Sequence, residues 1–358
     1  MKKTLAIALT AVSLLLLTAC SSQKESSELL TNPIKESTTT MGTYVQVSVY
    51  NPGKRPAAQE ALRIAESYSD LISMKAKNSE IKKINDSAGE SAVRVTDDVY
   101  QLVKLGYQYS AKHEGYDITV GPLSGLWHIG FPDAKKPSQA EIDQAVHLID
   151  YKDIHFNDEQ KSIELEKAGM SLDLGSITKG YVAMKMVDYL KSKGVTSGIV
   201  DLGSSSIYVI GDSARGAGQP WKIGIKDPNQ PNGDQLGVIT ASNQHINSSG
   251  IYERYLLADG KRYSHILDPK TGYPFDNDLA SVTLLISGDD PTNGDGLSMM
   301  VYAMGTKKGY DYILHHEKVQ AIFIDKKNRI FLTPGMKDKF TLSKDSQFKI
   351  ADISEASD

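Results

Sequence analysis

One cysteine in 358 residues leaves no partner for an internal disulfide and too few thiolates for a structural zinc site. Neither sign of charge dominates, since 40 Lys and Arg stand against 44 Asp and Glu for a net charge of −4. A nucleic-acid partner is therefore not expected, because such binding needs a positive surface that displaces counterions from phosphates. The patterns HExxH, CxxC, GxSxG and GxGxxG are all missing, which removes support for zinc-hydrolase, thioredoxin-like, serine-esterase and dinucleotide-fold chemistry. No internal repeat is present, and the apolar run Leu5 to Leu17 is too short to span a bilayer.

What is present is the composition of a folded body, 40% hydrophobic and 23% charged. Ahead of it, Lys2 and Lys3, the apolar run and the small residues before Cys20 follow the order of a secretory signal, residues 1–19. Leu17 to Cys20, LTAC, resembles a bacterial lipobox, which makes Cys20 the expected lipidation site. The expected location is the extracytoplasmic face of a cell membrane, held by that lipid. Residues 20–40 are rich in Ser and Thr and read as a tether, with the folded domain spanning 41–350.

Periodicity then organises the body. Tyr44, Val45, Val47 and Val49 predict a strand ended by Asn51-Pro52-Gly53, and Ala61, Leu62, Ala65, Ser69 and Ile72 mark one helical face. Val99, Leu102, Val103 and Gly106 mark another behind a Thr96 cap, and Ser138 with Glu141 predicts a capping box. Strands are expected over Ile199 to Ile210, Trp221 to Ile225, Ala280 to Ile286 and Val319 to Ile324. Helices are expected near Thr178 to Lys193, Thr292 to Met304 and Lys307 to His316. The fold class is α+β, mixed sheets with packed helices, in two subdomains around a cleft with a boundary near 227–234.

Four segments offer chemistry. DLGSITKGY, Asp173 to Tyr181, reads as a strand, turn and helix start whose free N–H groups, with Lys179, suit an anion. It lacks the Lys-Ser/Thr ending of a Walker loop, so a nucleotide-triphosphatase is not supported, and a plain capped helix is the alternative. GDGLSMMVYAMG, Gly294 to Gly305, places Asp295 and Ser298 on one face of a first helical turn, hard oxygens that suit Mg²⁺ or simply complement a helix dipole. YSHILDPKTGYP, Tyr263 to Pro274, puts His265 on a loop, where an imidazole either takes a proton at neutral pH or serves structure. YDITVGPLSGLW, Tyr116 to Trp127, suits either a planar ligand or a core strand and loop.

In register with TMGTYVQVSVY (Thr40 to Tyr50), SEIKKIN (Ser79 to Asn85), GIVDLGSSSIYVIG (Gly198 to Gly211), WKIGIKDP (Trp221 to Pro228) and SSGIYER (Ser248 to Arg254), these segments resemble the ApbE-type FAD:protein FMN transferase family over about Thr40 to Leu332. The resemblance implies Mg²⁺-dependent cleavage of the FAD pyrophosphate, transfer of FMN to a Thr or Ser hydroxyl of an exported acceptor protein, and release of AMP. It implies FAD contacts at Met41, Gly115, Tyr116, Asp117, Asp173, Lys179, His265 and Ile266. Metal ligands are expected at Ser176, through its carbonyl, and at Asp295; His265 is the expected base. Where the family has Thr four residues after the metal Asp, this chain has Met299, a poor ligand for a hard cation, and Ser298 is the expected substitute. Lys75 stands where an aromatic is usual, and Gly203-Ser204 replaces a Gly-Gly. An FAD pyrophosphatase and a non-catalytic flavin-binding lipoprotein remain as alternatives.

Overall fold

A computed structural model describes residues 28–112, 115–230, 233–290 and 292–357. The expected signal segment, Cys20 and the first part of the expected tether lie outside the described residues. Nine strands form the main sheet: β1 (Ile34–Thr40), β2 (Thr43–Val49), β3 (Gly198–Leu202), β4 (Ser206–Ile210), β5 (Gln244–Gly250), β6 (Leu279–Ser287), β7 (Val319–Asp325), β8 (Arg329–Leu332) and β9 (Lys349–Ile350). Their order in the sheet is their order in the chain, and every pair is antiparallel except the last.

Side-chain alternation divides the sheet into two faces. Val45, Val47, Val200, Tyr208, Leu284 and Phe323 point to a helical layer. That layer holds α1 (Arg55–Ile72), α6 (Thr178–Ser192), α7 (Gly294–Met304) and α8 (Thr306–Leu314). The opposite set, with Val209, Ile246, Leu285 and Ile322, packs on a three-stranded sheet of Trp221–Lys226, Gln235–Ala241 and Phe340–Leu342. The central strand β6 meets both layers and is buried along nearly its whole length, as a strand apolar on both sides must be. Between α1 and α6 the chain builds α2 (Glu80–Asp86), α3 (Asp97–Ser110), α4 (Gly121–Trp127) and α5 (Gln139–Val146), with a small sheet of Val93–Arg94, Ser162–Leu165 and Ile154–Asn157. No helix among the described residues is long and apolar enough to cross a membrane.

Several expectations need correction. The end of the expected tether is β1, paired residue for residue with β2 from Ile34 with Val49 to Thr40 with Thr43. Its Ser/Thr content masked a period-two pattern in which Ile34, Glu36, Thr38 and Thr40 face inward. The strand expected over Ile199 to Ile210 is the hairpin β3–β4, turned at Gly203 and Ser204, both at positive φ. The segment 227–234 joins two paired strands of the small sheet, and the main sheet runs through chain from both sides of it, so no boundary falls there. Thr96 sits at the N-cap of α3 without a side-chain cap bond, and its hydroxyl donates to Glu80. The capping box of Ser138 and Glu141 on α5 forms as expected.

Candidate active site

The ends of β1–β2, the starts of α6 and α7, the segments following α3 and α4, and the loop carrying His265 surround one cleft of about 1200 Å³. Met41, Gly115, Tyr116, Asp117, Asp173, Ser176, Lys179, His265, Ile266 and Asp295 all line it. Ser298 does not. Its hydroxyl lies 2.9 Å from that of Ser249 and donates to the Asp295 carbonyl at 3.0 Å, and the residue is 1% exposed. The expectation of a metal ligand at Ser298 is corrected accordingly: that oxygen is spent inside the helix packing.

Asp295 is the most heavily supported group. Asn293 caps α7 by accepting from the Gly296 N–H at 2.9 Å, which sets Asp295 in the first turn. Its carboxylate, in a residue 6% exposed, accepts from the Gly180 N–H at 2.5 Å, the Asn247 amide at 2.9 Å and the Ser206 hydroxyl. The anion expected at the start of α6 is therefore this carboxylate, held at the helix N-terminus by a free backbone donor. A carboxylate offers about four lone-pair positions; three bonds leave room for one further, monodentate contact on the cleft side. Gly294 is required beside it, since a Cβ there would lie 1.9 Å from the Asn247 oxygen.

Lys179 projects from the first turn of α6 and donates to Ser205. The Ser176 hydroxyl donates to Tyr116 at 2.9 Å, while burial pushes the Tyr116 phenol above its usual range and keeps it neutral. Asp117 is a scaffold group. One oxygen accepts from the Thr119 N–H and hydroxyl, the other from the Tyr151 N–H, which offsets a burial that raises its carboxyl above the usual range. Asp173 folds its own turn by accepting from Gly175 at 2.9 Å.

His265 is fixed by Arg254. The Arg254 carbonyl accepts from the His265 N–H at 3.1 Å and faces Nδ1 at 3.3 Å. A carbonyl only accepts, so Nδ1 carries the proton and Nε2 keeps its lone pair. Burial, with the Arg254 and Lys179 cations, lowers the imidazole to about 4, which makes it neutral at pH 7. The Arg254 guanidinium donates to the Gly42 carbonyl at 3.3 Å and so ties the histidine loop to the β1–β2 turn. Arg254 and Glu253 of SSGIYER and Lys226 of WKIGIKDP, to which the sequence alone assigns no role, also line the cleft. Their clue was charge placed directly after or at the end of a strand, Glu253 and Arg254 in the turn following β5 and Lys226 at the end of Trp221–Lys226.

Met41 occupies the β1–β2 turn at φ 50° beside Gly42 at 68°, the two-residue turn with both residues left-handed that suits a twisted hairpin. A long side chain pays a steric penalty there and points its bulk into the cleft. Met41→Gly is expected to weaken ligand binding while moving the melting temperature by no more than about 2 °C, because about 1 kcal/mol of relieved strain is offset by the greater unfolded-chain entropy of Gly and by lost packing on the helical core. Scanning calorimetry with a ligand titration checks both.

The sequence model of the ApbE family matches residues 41–323. The chain belongs to the ApbE family. It is 32% identical over 313 residues to an FAD:protein FMN transferase of Klebsiella pneumoniae, covering 87% of this chain and 95% of that one. A second FAD:protein FMN transferase, from Treponema pallidum, is 30% identical over 317 residues, with 84% and 86% covered. Among solved structures, the ApbE protein of Thermotoga maritima superposes with a TM-score of 0.77 at 29% identity, covering 86% of this chain and 99% of that one. The flavin transferase ApbE of Vibrio cholerae gives 0.74 at 27% identity, with 86% and 99% covered. The mixed α+β architecture is thus the ApbE fold. The cleft is built by segments from both ends of the matched region, Met41 near its start and Asp295 near its end.

Proposed function

We propose that this ApbE protein cleaves the phosphoanhydride of FAD and transfers FMN to a Thr or Ser hydroxyl of an exported acceptor protein, releasing AMP. One observation carries the proposal: Asp295, Ser176, Lys179 and a neutral His265 line a single cleft large enough for a dinucleotide. The Asp295 carboxylate, with one acceptor position open, and the Ser176 carbonyl are hard oxygen donors. No group of three or more His, Cys, Asp or Glu gathers among the described residues. That donor set fits Mg²⁺, which takes few protein ligands and fills its shell with water and substrate phosphates. When bound, Mg²⁺ supplies neutralisation of the charge that develops on the dividing pyrophosphate.

The protein's own groups do the rest. Lys179 and the cleft cations Lys226 and Arg254 hold the phosphates by charge. Nε2 of His265 accepts the acceptor hydroxyl proton as its oxygen bonds to the FMN phosphorus. The bond from that phosphorus to the bridging oxygen breaks, and AMP leaves with the bridging oxygen. Positioning and electrostatics account for most of such a phosphoryl-type transfer. The test is mass spectrometry of exported proteins co-expressed with the chain. An FMN adduct on a Thr or Ser supports transfer, whereas turnover to free FMN and AMP with no adduct supports the pyrophosphatase instead.

We also propose that Cys20 carries a lipid that anchors the protein at the extracytoplasmic face of the membrane. Support comes from Lys2, Lys3, the apolar run and LTAC. Cys20→Ala is expected to shift the protein from the membrane to the soluble fraction and to abolish palmitate labelling.

A further inference from the structure

A second cavity, of about 500 Å³, lies behind the histidine loop. Four consecutive residues, Lys261 to Ser264, form one wall, and Phe275, Asp276 and Lys326 stand on another. These four residues are a β-strand that pairs with Tyr255–Ala258 and, among the described residues, with no other strand, so beside the cavity it has a second edge unpaired in any sheet. Ser264, 5% exposed, also lines the cavity, and its hydroxyl has no hydrogen-bond partner. Such a donor costs stability when left alone, and a partner that brings a carbonyl satisfies it.

Two features tie this groove to the chemistry. The strand runs directly into His265, and Phe275 lines both the groove and the large cleft. Four residues of strand extend about 13 Å, the length of a short extended peptide. The lining carries a small net positive charge. Lys261 and Lys326 share Asp276 at 3.2 and 3.3 Å, Arg262, its guanidinium 3.8 Å from the Tyr255 ring centroid, adds a third cation, and Asp268 is the second carboxylate.

We infer that the groove receives the acceptor polypeptide as an added β-strand along Lys261 to Ser264, with its Thr or Ser passing Phe275 to reach His265. Main-chain bonds to the unpaired edge supply affinity, and the net positive lining selects a neutral to acidic flank. This inference rests on the transfer function proposed above.

The test uses the whole protein and the acceptor identified by its FMN adduct. Arg262→Glu and Lys326→Glu are each expected to raise KM for the acceptor at least tenfold, with the affinity for FAD unchanged within twofold. In hydrogen exchange, the acceptor with its modified residue replaced by alanine is expected to slow at least tenfold those amides of Lys261 to Ser264 that point away from Tyr255–Ala258. Unchanged acceptor KM in both variants, or protection confined to other segments, overturns the groove while leaving transfer intact. Absence of transfer by the unaltered protein overturns both proposals together.

Discussion

Asp295→Ala is expected to lower the rate of AMP release by at least about 10³-fold while FAD binding stays measurable, because in the proposed mechanism this residue supplies the charge that holds a cation at the pyrophosphate. The same substitution removes the acceptor shared by Gly180, Asn247 and Ser206. Buried donors left without a partner cost about 1–3 kcal/mol each. The hydroxyl can rotate toward another acceptor, whereas the backbone N–H cannot. A net loss on the order of 2–5 kcal/mol follows, with a fall of several degrees in melting temperature. Asp295→Asn separates the two effects: it keeps the volume and one carbonyl acceptor but loses the charge, so it retains more stability than alanine and no more turnover. Calorimetry alongside AMP quantification reads both. Normal AMP release by either variant eliminates the metal-holding role.

His265→Ala is expected to slow transfer by roughly 10² to 10⁴. The sign of the pH dependence follows from the same residue. Protonation removes the Nε2 lone pair, so kcat/KM of the free enzyme should fall as pH drops through about 4, well below the 6.5 of an ordinary histidine. Arg254→Gln keeps the backbone carbonyl that orients the ring but removes a neighbouring cation, and should move that limb upward. An unchanged limb with unchanged rate in His265→Ala would reassign the residue to structure. Stability shares this window. His265 and the buried His245, also lowered to about 4, stay neutral in the folded state while the unfolded chain takes up protons near 6.5. Their contribution is complete above pH 6.5 and declines as pH falls toward 4.

The sequence exposed the cleft-lining groups better than their supports. Asp295, Lys179 and His265, whose chemical roles are those proposed above, stood out because each sits in a compact local motif at a helix start or loop. The three donors to Asp295 come from residues 180, 206 and 247, far apart in the chain, and only the sheet order brings them together. For the same reason the start of α6 suggested an external anion, when the protein's own carboxylate fills that place. Ser298 shared the correct helical face with Asp295, yet spacing on a helix carries no information about Ser249 of β5, which claims its hydroxyl. Strand β1 was hidden by composition: counting Ser and Thr suggests a tether, whereas their alternation with Ile34 and Glu36 specifies an edge strand.

The departures at Lys75 and Met299 also find a place. Lys75 lines the cleft with its ammonium 2.7 Å from Nε2 of His128 and 4.5 Å from the Phe131 ring centroid, and that ring stacks on His128 at 4.2 Å. The loop following α4 thus brings aromatic rings to the cleft, and Lys75, just after α1, brings a cation against them. Met299 lines the same cleft next to the buried Ser298. Its thioether adds a soft, apolar surface and is a poor ligand for a hard cation, which in the proposed mechanism leaves oxygen ligation to Asp295 and Ser176.

The most direct measurement is the stoichiometry of products when the purified chain is mixed with FAD, Mg²⁺ and its acceptor. Each AMP formed should be matched by one flavin that stays on the acceptor through denaturation, and a chelator should stop both together. FAD recovered intact in the presence of metal and a competent acceptor would contradict the account.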